Sequence, residues 1–440
     1  MGKVQLITMG CSKNRVDSEH LLQQMVAAGW SVSPEGENLA SAGVDTVLIN
    51  TCGFIGDAKE ESIGMILQAA RAKKEGWIRR LFVFGCLSQR YAAELPGLLP
   101  EVDGFFGAAD HAAILAALGL PLRAELATRR HLTTPSHYAY LKIAEGCDRR
   151  CSYCAIPLIR GPHVSVPMEQ LEDEARSLAS AGVKELIVIA QDTTWYGLDL
   201  YGKRMLAPLL ERLAAIRGIE WIRLHYSYPD GFPEEVLDLM AAEPKLCKYL
   251  DIPLQHIADP VLTAMRRSTT GRETRALLEK IRAKVPGVVL RTTLMVGHPG
   301  ETEEAFNELL EFVKEARFER LGAFQYSEEE GTWGAAHLKD EIPPELKQER
   351  YNRLMEVQSG ISAAFNTYRI GTTARVLFDS ASDGVLTGRS QWESPEVDGE
   401  ILVSEASFRN KGLQSSQIIG TFAECKITAA GEYDLLGEPL

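Results

Sequence analysis

Apolar residues change rhythm twice along this 440-residue chain. In the first region, short apolar runs at 4–11, 46–52 and 81–86 each stop at a cysteine, namely Cys11, Cys52 and Cys86. Runs of that length predict buried strands. Between them, residues 18–28, halted at Gly29, and residues 58–74 carry helical spacing. Strand-helix alternation predicts a parallel sheet, whose strands deliver their carboxyl ends to one edge, where ligands bind. Cys11, Cys52 and Cys86 are therefore expected to converge there, although tens of residues separate them. A polar, proline-bearing stretch at 121–137 reads as a linker.

The second rhythm is a longer alternation. Strands are predicted at 138–144, 185–190, 221–226, 249–254, 288–296 and 321–326, with helices at 168–181, 205–217, 233–242, 272–284 and 302–316. Six repeats fall short of the eight of a closed barrel, and periodicity does not separate a partial barrel from an open sheet. After Pro343-Pro344 a helical pattern covers 345–365. From residue 374 the texture becomes short alternating runs at 374–378, 384–389, 399–404 and 420–427, which predict a small antiparallel β-barrel. The expected organisation is an N-terminal α/β domain over 1–120, a central α/β domain over 133–368 and a C-terminal β domain over 369–440.

Composition narrows the setting. A chain of 440 residues with 45% apolar residues is globular and large enough for two to four domains. No run approaches the roughly 18–20 apolar residues of a membrane span, and the first residues lack a signal peptide's pattern. A cytoplasmic protein with no membrane partner is expected. In that reducing compartment the eight cysteines are metal ligands or buried thiols rather than disulfides; Cys247 and Cys425, without thiols nearby in sequence, read as core residues. A formal charge of −13 disfavours wholesale binding to nucleic acid and favours a basic protein partner.

The candidate chemistry centres on Cys147-Asp-Arg-Arg-Cys151-Ser-Tyr-Cys154. This C-x3-C-x2-C run supplies three thiolates and no fourth. A 4Fe-4S cluster takes one ligand per iron, so three would leave one iron open for another ligand. Structural zinc would add a fourth Cys or His at short range, and the next histidine, His163, stands nine residues beyond Cys154. Three ordinary buried thiols are the remaining alternative.

The segment 142–161 around this run resembles the cluster loop of the radical S-adenosylmethionine (AdoMet) enzymes, in their methylthiotransferase branch. The resemblance implies that Cys147, Cys151 and Cys154 hold a 4Fe-4S cluster that binds AdoMet and cleaves it to a 5′-deoxyadenosyl radical. It implies a partial (β/α)6 barrel for the central domain and a TRAM domain, which grips substrate, at the C-terminus. Gly10-Cys11-Ser-Lys-Asn-Arg-Val-Asp-Ser18 and Asn50-Thr-Cys52-Gly-Phe-Ile55 are similar to the family's N-terminal ligand loops. By that resemblance Cys11, Cys52 and Cys86 hold a second 4Fe-4S cluster, whose open iron carries sulfide or a persulfide and receives a methyl group from another AdoMet. Tyr153 takes the aromatic position that lies near the adenine in related enzymes, or is a packing aromatic. Gln191 ends the second strand as a cofactor contact or a strand cap. Gly297 and Gly300, within the run 294–304, permit close backbone approach to a cofactor, although the same run reads as a turn before a helix N-terminus. An electron donor such as a flavodoxin or ferredoxin and a sulfur source are implied partners.

Two features bear on substrate. Asp251-Ile-Pro-Leu-Gln-His256 resembles the branch acting on a ribosomal protein, where the branches acting on transfer-RNA adenosine tend to carry His-x-Pro-x-Gln-Ser-Gly; His256 is expected to shape the pocket. Residues 369–440 hold 6 Lys and Arg against 11 Asp and Glu, unsuited to RNA. An acidic domain suits a basic protein, and the run 392–400 resembles an acidic turn of the ribosomal-protein branch. The resemblance thus implies methylthiolation of the β-carbon of an aspartate in small-subunit ribosomal protein twelve, free or on the ribosome. A transfer-RNA methylthiotransferase is the alternative, and an iron-sulfur electron carrier without AdoMet chemistry is the reading from another class.

Overall fold

The apolar runs that end in cysteine form one parallel sheet in the computed structural model, which describes residues 2–440. Its strands are β1 (Lys3–Thr8), β2 (Ser31–Ser33), β3 (Thr46–Thr51), β4 (Arg80–Gly85) and β5 (Gly104–Phe105), in the order β2-β1-β3-β4-β5. Every residue of the central β3 is buried, because helices cover both faces. Val47 and Ile49 face a layer containing Ile66 and Ala69 of the helix Gly56–Lys74; Leu48 faces Leu21, Leu22 and Met25 of the helix Ser12–Ala27. Thr8 pairs with Asn50, and Asn50 with Phe84, so the three cysteine-bearing strands end level.

The central domain begins with β6 (Tyr138–Lys142). A short ribbon of β7 (Ala144–Glu145) and β8 (Val164–Ser165) frames the second cysteine loop. There follow β9 (Glu185–Ile189), β10 (Trp221–Leu224), β11 (Leu246–Asp251), β12 (Val289–Val296) and β13 (Arg320–Gln325). The six long strands are parallel and lie in sequential order, β6-β9-β10-β11-β12-β13, without closing, as a partial barrel requires. Leu141, Leu186, Val188, Ile222, Leu224, Leu250 and Leu290 pack outward into one large core with the helices. The alternate positions point inward and mix polar side chains, Tyr138, Tyr140, Glu185, Arg223, Tyr249 and Arg291, with the apolar Ile187 and Ile189.

After the helix Pro344–Tyr368 come β14 (Thr373–Ser382), β15 (Val385–Arg389), β16 (Ile401–Ser404), β17 (Phe422–Ala430) and β18 (Leu435–Pro439), a closed barrel. Four pairings are antiparallel, but β16 and β18 run parallel, since β18 returns from β17 in the direction of β16. The alternation predicted no strand at β18, whose sequence Leu-Leu-Gly-Glu-Pro contains two poor strand formers. Cys247 and Cys425 are buried, at 2% and 0% exposure.

The barrel's polar interior is where the C-terminal domain docks. Glu185 accepts from Arg223 Nε and from Arg389 NH1, each at 2.8 Å. Arg389 also donates to Asp379, and Asp379 meets His137 Nε2 at 2.7 Å. Tyr249 donates to Asp398 at 2.7 Å. The acidic run 392–400 is divided: Glu396 and Glu400 stay exposed, whereas Glu393 is drawn inside. Glu393 is 1% exposed, accepts from Arg320 and Arg369 on one oxygen, and takes the Ser390 N–H and hydroxyl on the other. Its charge is consumed within the molecule.

Burial raises the Glu393 carboxyl, but Arg369 and Arg320 outweigh burial and hold it at about 2, against an ordinary 4.5. A folded-state value below the unfolded one stabilises above the unfolded pKa, and that stability is lost as pH falls from 4.5 towards about 2. The contribution is on the order of 3 kcal/mol. Glu393→Gln, which leaves two buried guanidiniums short of a carboxylate, is expected to cost about 3–5 kcal/mol at pH 7. It should also flatten the acid limb of the melting-temperature profile; a wild-type-like profile would count against this account.

Candidate active site

At the level edge of the N-terminal sheet, Cys11 caps the helix Ser12–Ala27, Cys52 follows β3, and Cys86 opens the helix Cys86–Arg90. Their loops touch. A Cβ on Gly10, where φ is +89°, would lie 2.7 Å from Cys52 Cβ; a Cβ on Gly53 would lie 2.7 Å from Leu87 N. Asn14 locks the edge, donating to Met9 O at 2.9 Å and Thr51 O at 3.1 Å, with its Oδ1 3.8 Å from Cys86 Sγ.

The second triplet lies in the loop inside the β7/β8 ribbon. Gly146, at φ +74°, brings the loop against Pro162, and the Cys147 N–H donates to Gly161 O at 3.1 Å. Ser152 N–H donates to Met265 O at 2.9 Å, and Gly334 N–H to Ser152 O at 2.7 Å. Arg149 lies over Tyr228 and Trp195 and pairs with Asp192 and Asp230, each at 2.9 Å. Among the described residues no three Cys, His, Asp or Glu side chains are drawn in tightly enough for a single metal ion. A 4Fe-4S cube takes one protein ligand per iron, so each thiolate would bind a separate metal atom.

Arg160 ties the helix after the second triplet to Cys86 of the first, and it was not among the residues singled out from the sequence. It belongs to the helix Ile156–Arg160, which follows Cys154 directly, yet its Nε donates to Cys86 Sγ at 3.2 Å. Its other nitrogens reach Asn14 Oδ1 at 2.5 Å, Asp17 at 2.8 Å and Glu145 at 3.0 Å. Lys142 pairs with the same Asp17 and Glu145, and Gln191 Nε2 donates to Glu145 Oε1 at 2.7 Å. A lone arginine closing an otherwise apolar run, Ile-Pro-Leu-Ile-Arg, was the available signal.

The linker is pinned to the same junction. Arg130, with its side chain fully buried, meets Glu19 at 2.7 Å and Glu174 at 2.9 Å.

Burial dominates the thiols. It pushes Cys86 up to about 11 against the pull of Arg160, and Cys147 up to about 12; Cys154 and Cys52 are also raised by burial. Thiols of this kind bind iron with loss of a proton, and the metal's charge reverses the penalty. Burial also disfavours the Asp17 carboxylate, but Lys142 and Arg160 overcome it and hold the group far below its usual range.

The structure separates the cofactor candidates. Gln191 Oε1 is buried without a hydrogen-bond partner, an acceptor left for a donor the protein does not supply. Tyr153 packs with Ala258, Val261 and Met265; its ring lies edge-on to His298, and its hydroxyl accepts from Arg267 at 3.3 Å. Gly297, at φ +74°, is explained within the protein, since a Cβ there would stand 2.4 Å from Lys347 Cγ. Its N–H donates to Glu301 at 2.8 Å, and Glu301 faces His256 at 3.6 Å and Arg350 at 2.9 Å. His256 thus belongs to a buried cluster behind the Gly297 turn.

Residues 3–107 match the model of the Uncharacterized protein family UPF0004, residues 141–313 that of the Radical SAM superfamily, and residues 370–440 that of the TRAM domain. The ribosomal protein uS12 methylthiotransferase RimO of Bacteroides fragilis is 52% identical over 435 residues, covering 99% of this chain and 98% of that protein. The protein of the same name from Parabacteroides distasonis is 52% identical over 438 residues, with coverage of 100% and 99%. Among solved structures, the radical S-adenosylmethionine methyltransferase TsrM of Kitasatospora setae, with cobalamin and a 4Fe-4S cluster bound, superposes with a TM-score of 0.52 at 15% identity. It covers 74% of this chain and 75% of that one. This last likeness is one of fold.

Proposed function

The chain belongs to the ribosomal protein uS12 methylthiotransferases, a family of radical AdoMet enzymes, and from that premise we propose that it methylthiolates the β-carbon of an aspartate in uS12. The observation that carries the proposal is that Cys86 of the first triplet packs with Ala155 and Ile159, just past Cys154 of the second, and accepts from Arg160 there. Cys147, Cys151 and Cys154 hold one 4Fe-4S cluster; Cys11, Cys52 and Cys86 hold the other. The chemistry of the donors supports this, because each triplet is three thiols with one position left for an outside ligand. When bound, the clusters and two AdoMet molecules supply the radical that takes the target hydrogen and the methylthio group that replaces it.

The protein's own residues orient and enclose. Gln191 offers its unpartnered Oε1 to AdoMet, and Tyr153 stands beside it in the cluster loop, packed on Ala258, Val261 and Met265. Arg160 presents its guanidinium to the sulfur of Cys86 and fixes the spacing of the two loops. The functional units are residues 1–120, 133–368 and 369–440. Electrons come from a flavodoxin or ferredoxin, and a sulfide or persulfide donor supplies sulfur. The relatives described above are named for the ribosomal protein, and no feature of the site favours transfer-RNA adenosine over it.

Deleting the gene and measuring both candidate products tests the proposal. The intact mass of uS12 is expected to fall by one methylthio group in place of hydrogen, with methylthiolated nucleosides in bulk transfer RNA unchanged. The opposite pair of results would refute it.

A further inference from the structure

The first turn of the helix Ser12–Ala27 carries a lysine into the mouth of the partial barrel. Lys13 is 8% exposed, and its ammonium rests 3.0 Å from the ring centroid of Tyr226. Val16, one turn on, packs with Tyr138, Tyr140, Ile187, Ile189 and Tyr226, so this helix face enters among the barrel's inward residues. Among the described residues no carboxylate stands within ion-pair distance of Lys13. The neighbouring buried cations differ: Arg130, Lys142 and Arg160 each meet two carboxylates. Withdrawing an ammonium from water without an anion is costly, and contact with an aromatic face offsets only part of it.

The platform beneath Lys13 is itself held in an unfavourable conformation. Tyr226 has φ +56°, a left-handed value that a bulky side chain rarely adopts. The Tyr226 N–H donates to Asp251 Oδ2 at 3.1 Å, and its carbonyl accepts from Thr193 N–H at 3.1 Å. Arg291 fixes Asp251 in turn, at 3.0 Å. Strain maintained by its surroundings marks functional positions. Thr193 lies two residues past Gln191, which places Lys13 on the same rim as the AdoMet candidates.

We propose that Lys13 receives the side-chain carboxylate of the target aspartate, and that Asp251 and Tyr226 position it. The proposal rests on the reading of the substrate as an aspartate side chain. Its chemical sense is that the carboxylate is bonded to the reacting carbon, so anchoring one fixes the other. The carboxylate of AdoMet's methionine moiety is the competing source of the same chemistry.

The test is equilibrium binding to the holoenzyme, with both clusters in place, of a synthetic uS12 peptide spanning the target aspartate and of its asparagine counterpart. AdoMet affinity is measured on the same preparations. Wild type is expected to prefer the aspartate peptide by roughly tenfold to a hundredfold, as for one charge-assisted hydrogen bond. Lys13→Met should bind both peptides alike, Lys13→Arg should keep part of the preference, and AdoMet affinity should change less than about twofold. Lys13→Gln carries the same expectation as Lys13→Met, should the latter fail to match wild type in melting temperature and iron content. An aspartate preference that survives Lys13→Met or Lys13→Gln overturns the proposal. So does loss of AdoMet affinity with peptide preference retained, which would assign Lys13 to the methionine carboxylate. Wild type that binds neither peptide defeats the substrate reading and the proposal with it; wild type that binds both equally defeats the role of Lys13 alone.

Discussion

Cys151→Ala is expected to abolish formation of 5′-deoxyadenosine, whereas Cys52→Ala should retain reductive cleavage of AdoMet and yield no methylthiolated uS12. The division follows from where the thiols lie. Cys151 stands in the loop framed by the β7/β8 ribbon, at the barrel end where Gln191 leaves an acceptor open. Cys52 belongs to the other sheet edge, touching Gly10. Losing one of three thiolates deprives a cluster of a third of its protein ligands and leaves the second loop intact. Quantifying 5′-deoxyadenosine by liquid chromatography and the product peptide by mass spectrometry separates the two outcomes. If both variants lost only AdoMet cleavage, or if Cys151→Ala still supported it at the wild-type rate, the assignment of one triplet to each task would fail.

The second large effect is expected at Arg160. Arg160→Met removes the donor to Cys86 and leaves Asp17 and Asn14, both buried, without one of their partners. Breaking a buried ion pair from one side costs about 3–5 kcal/mol. The loss falls on the junction between the N-terminal and central domains, so it should lower the first unfolding transition of this multidomain chain rather than the whole curve. Proteolysis within 121–137 should accelerate, because Arg130 pins that stretch to Glu19 on the same helix as Asp17. Arg160→Lys is expected to recover only part of the loss, since a single ammonium cannot reproduce the planar fork that reaches Cys86, Asn14, Asp17 and Glu145 together. Unchanged melting and proteolysis in Arg160→Met would remove Arg160 from this role.

Much of this arrangement was legible in one dimension because it depends on local period. Fully buried strands in a parallel sheet must be continuous apolar runs, so β1, β3 and β4 announced themselves and their level ends followed from the topology of parallel sheets. β18 was not legible, since Gly437 and Pro439 interrupt any strand pattern and only pairing to β16 and β17 makes the segment extended. The internal matching of part of the acidic run 392–400 was not legible for a related reason. Composition counts charges and does not say which are matched, and the partners of Glu393 and Asp398 lie at Arg320, Arg369 and Tyr249, far off in sequence or on other elements.

The sequence alone determined the three-part α/β, α/β and β organisation and the two sets of three thiols, because hydrophobic period and cysteine spacing are local properties of the chain. Tertiary structure alone decided what lies between those sets. Arg160 of one domain faces the Cys86 sulfur of another, Lys13 enters a barrel to which its own helix does not belong, and Glu393 of the C-terminal turn is matched by Arg320 of that barrel. These are electrostatic contacts of cations with a carboxylate, a sulfur or an aromatic face across domain boundaries. Coulomb attraction depends on distance in space, which only the folded chain defines.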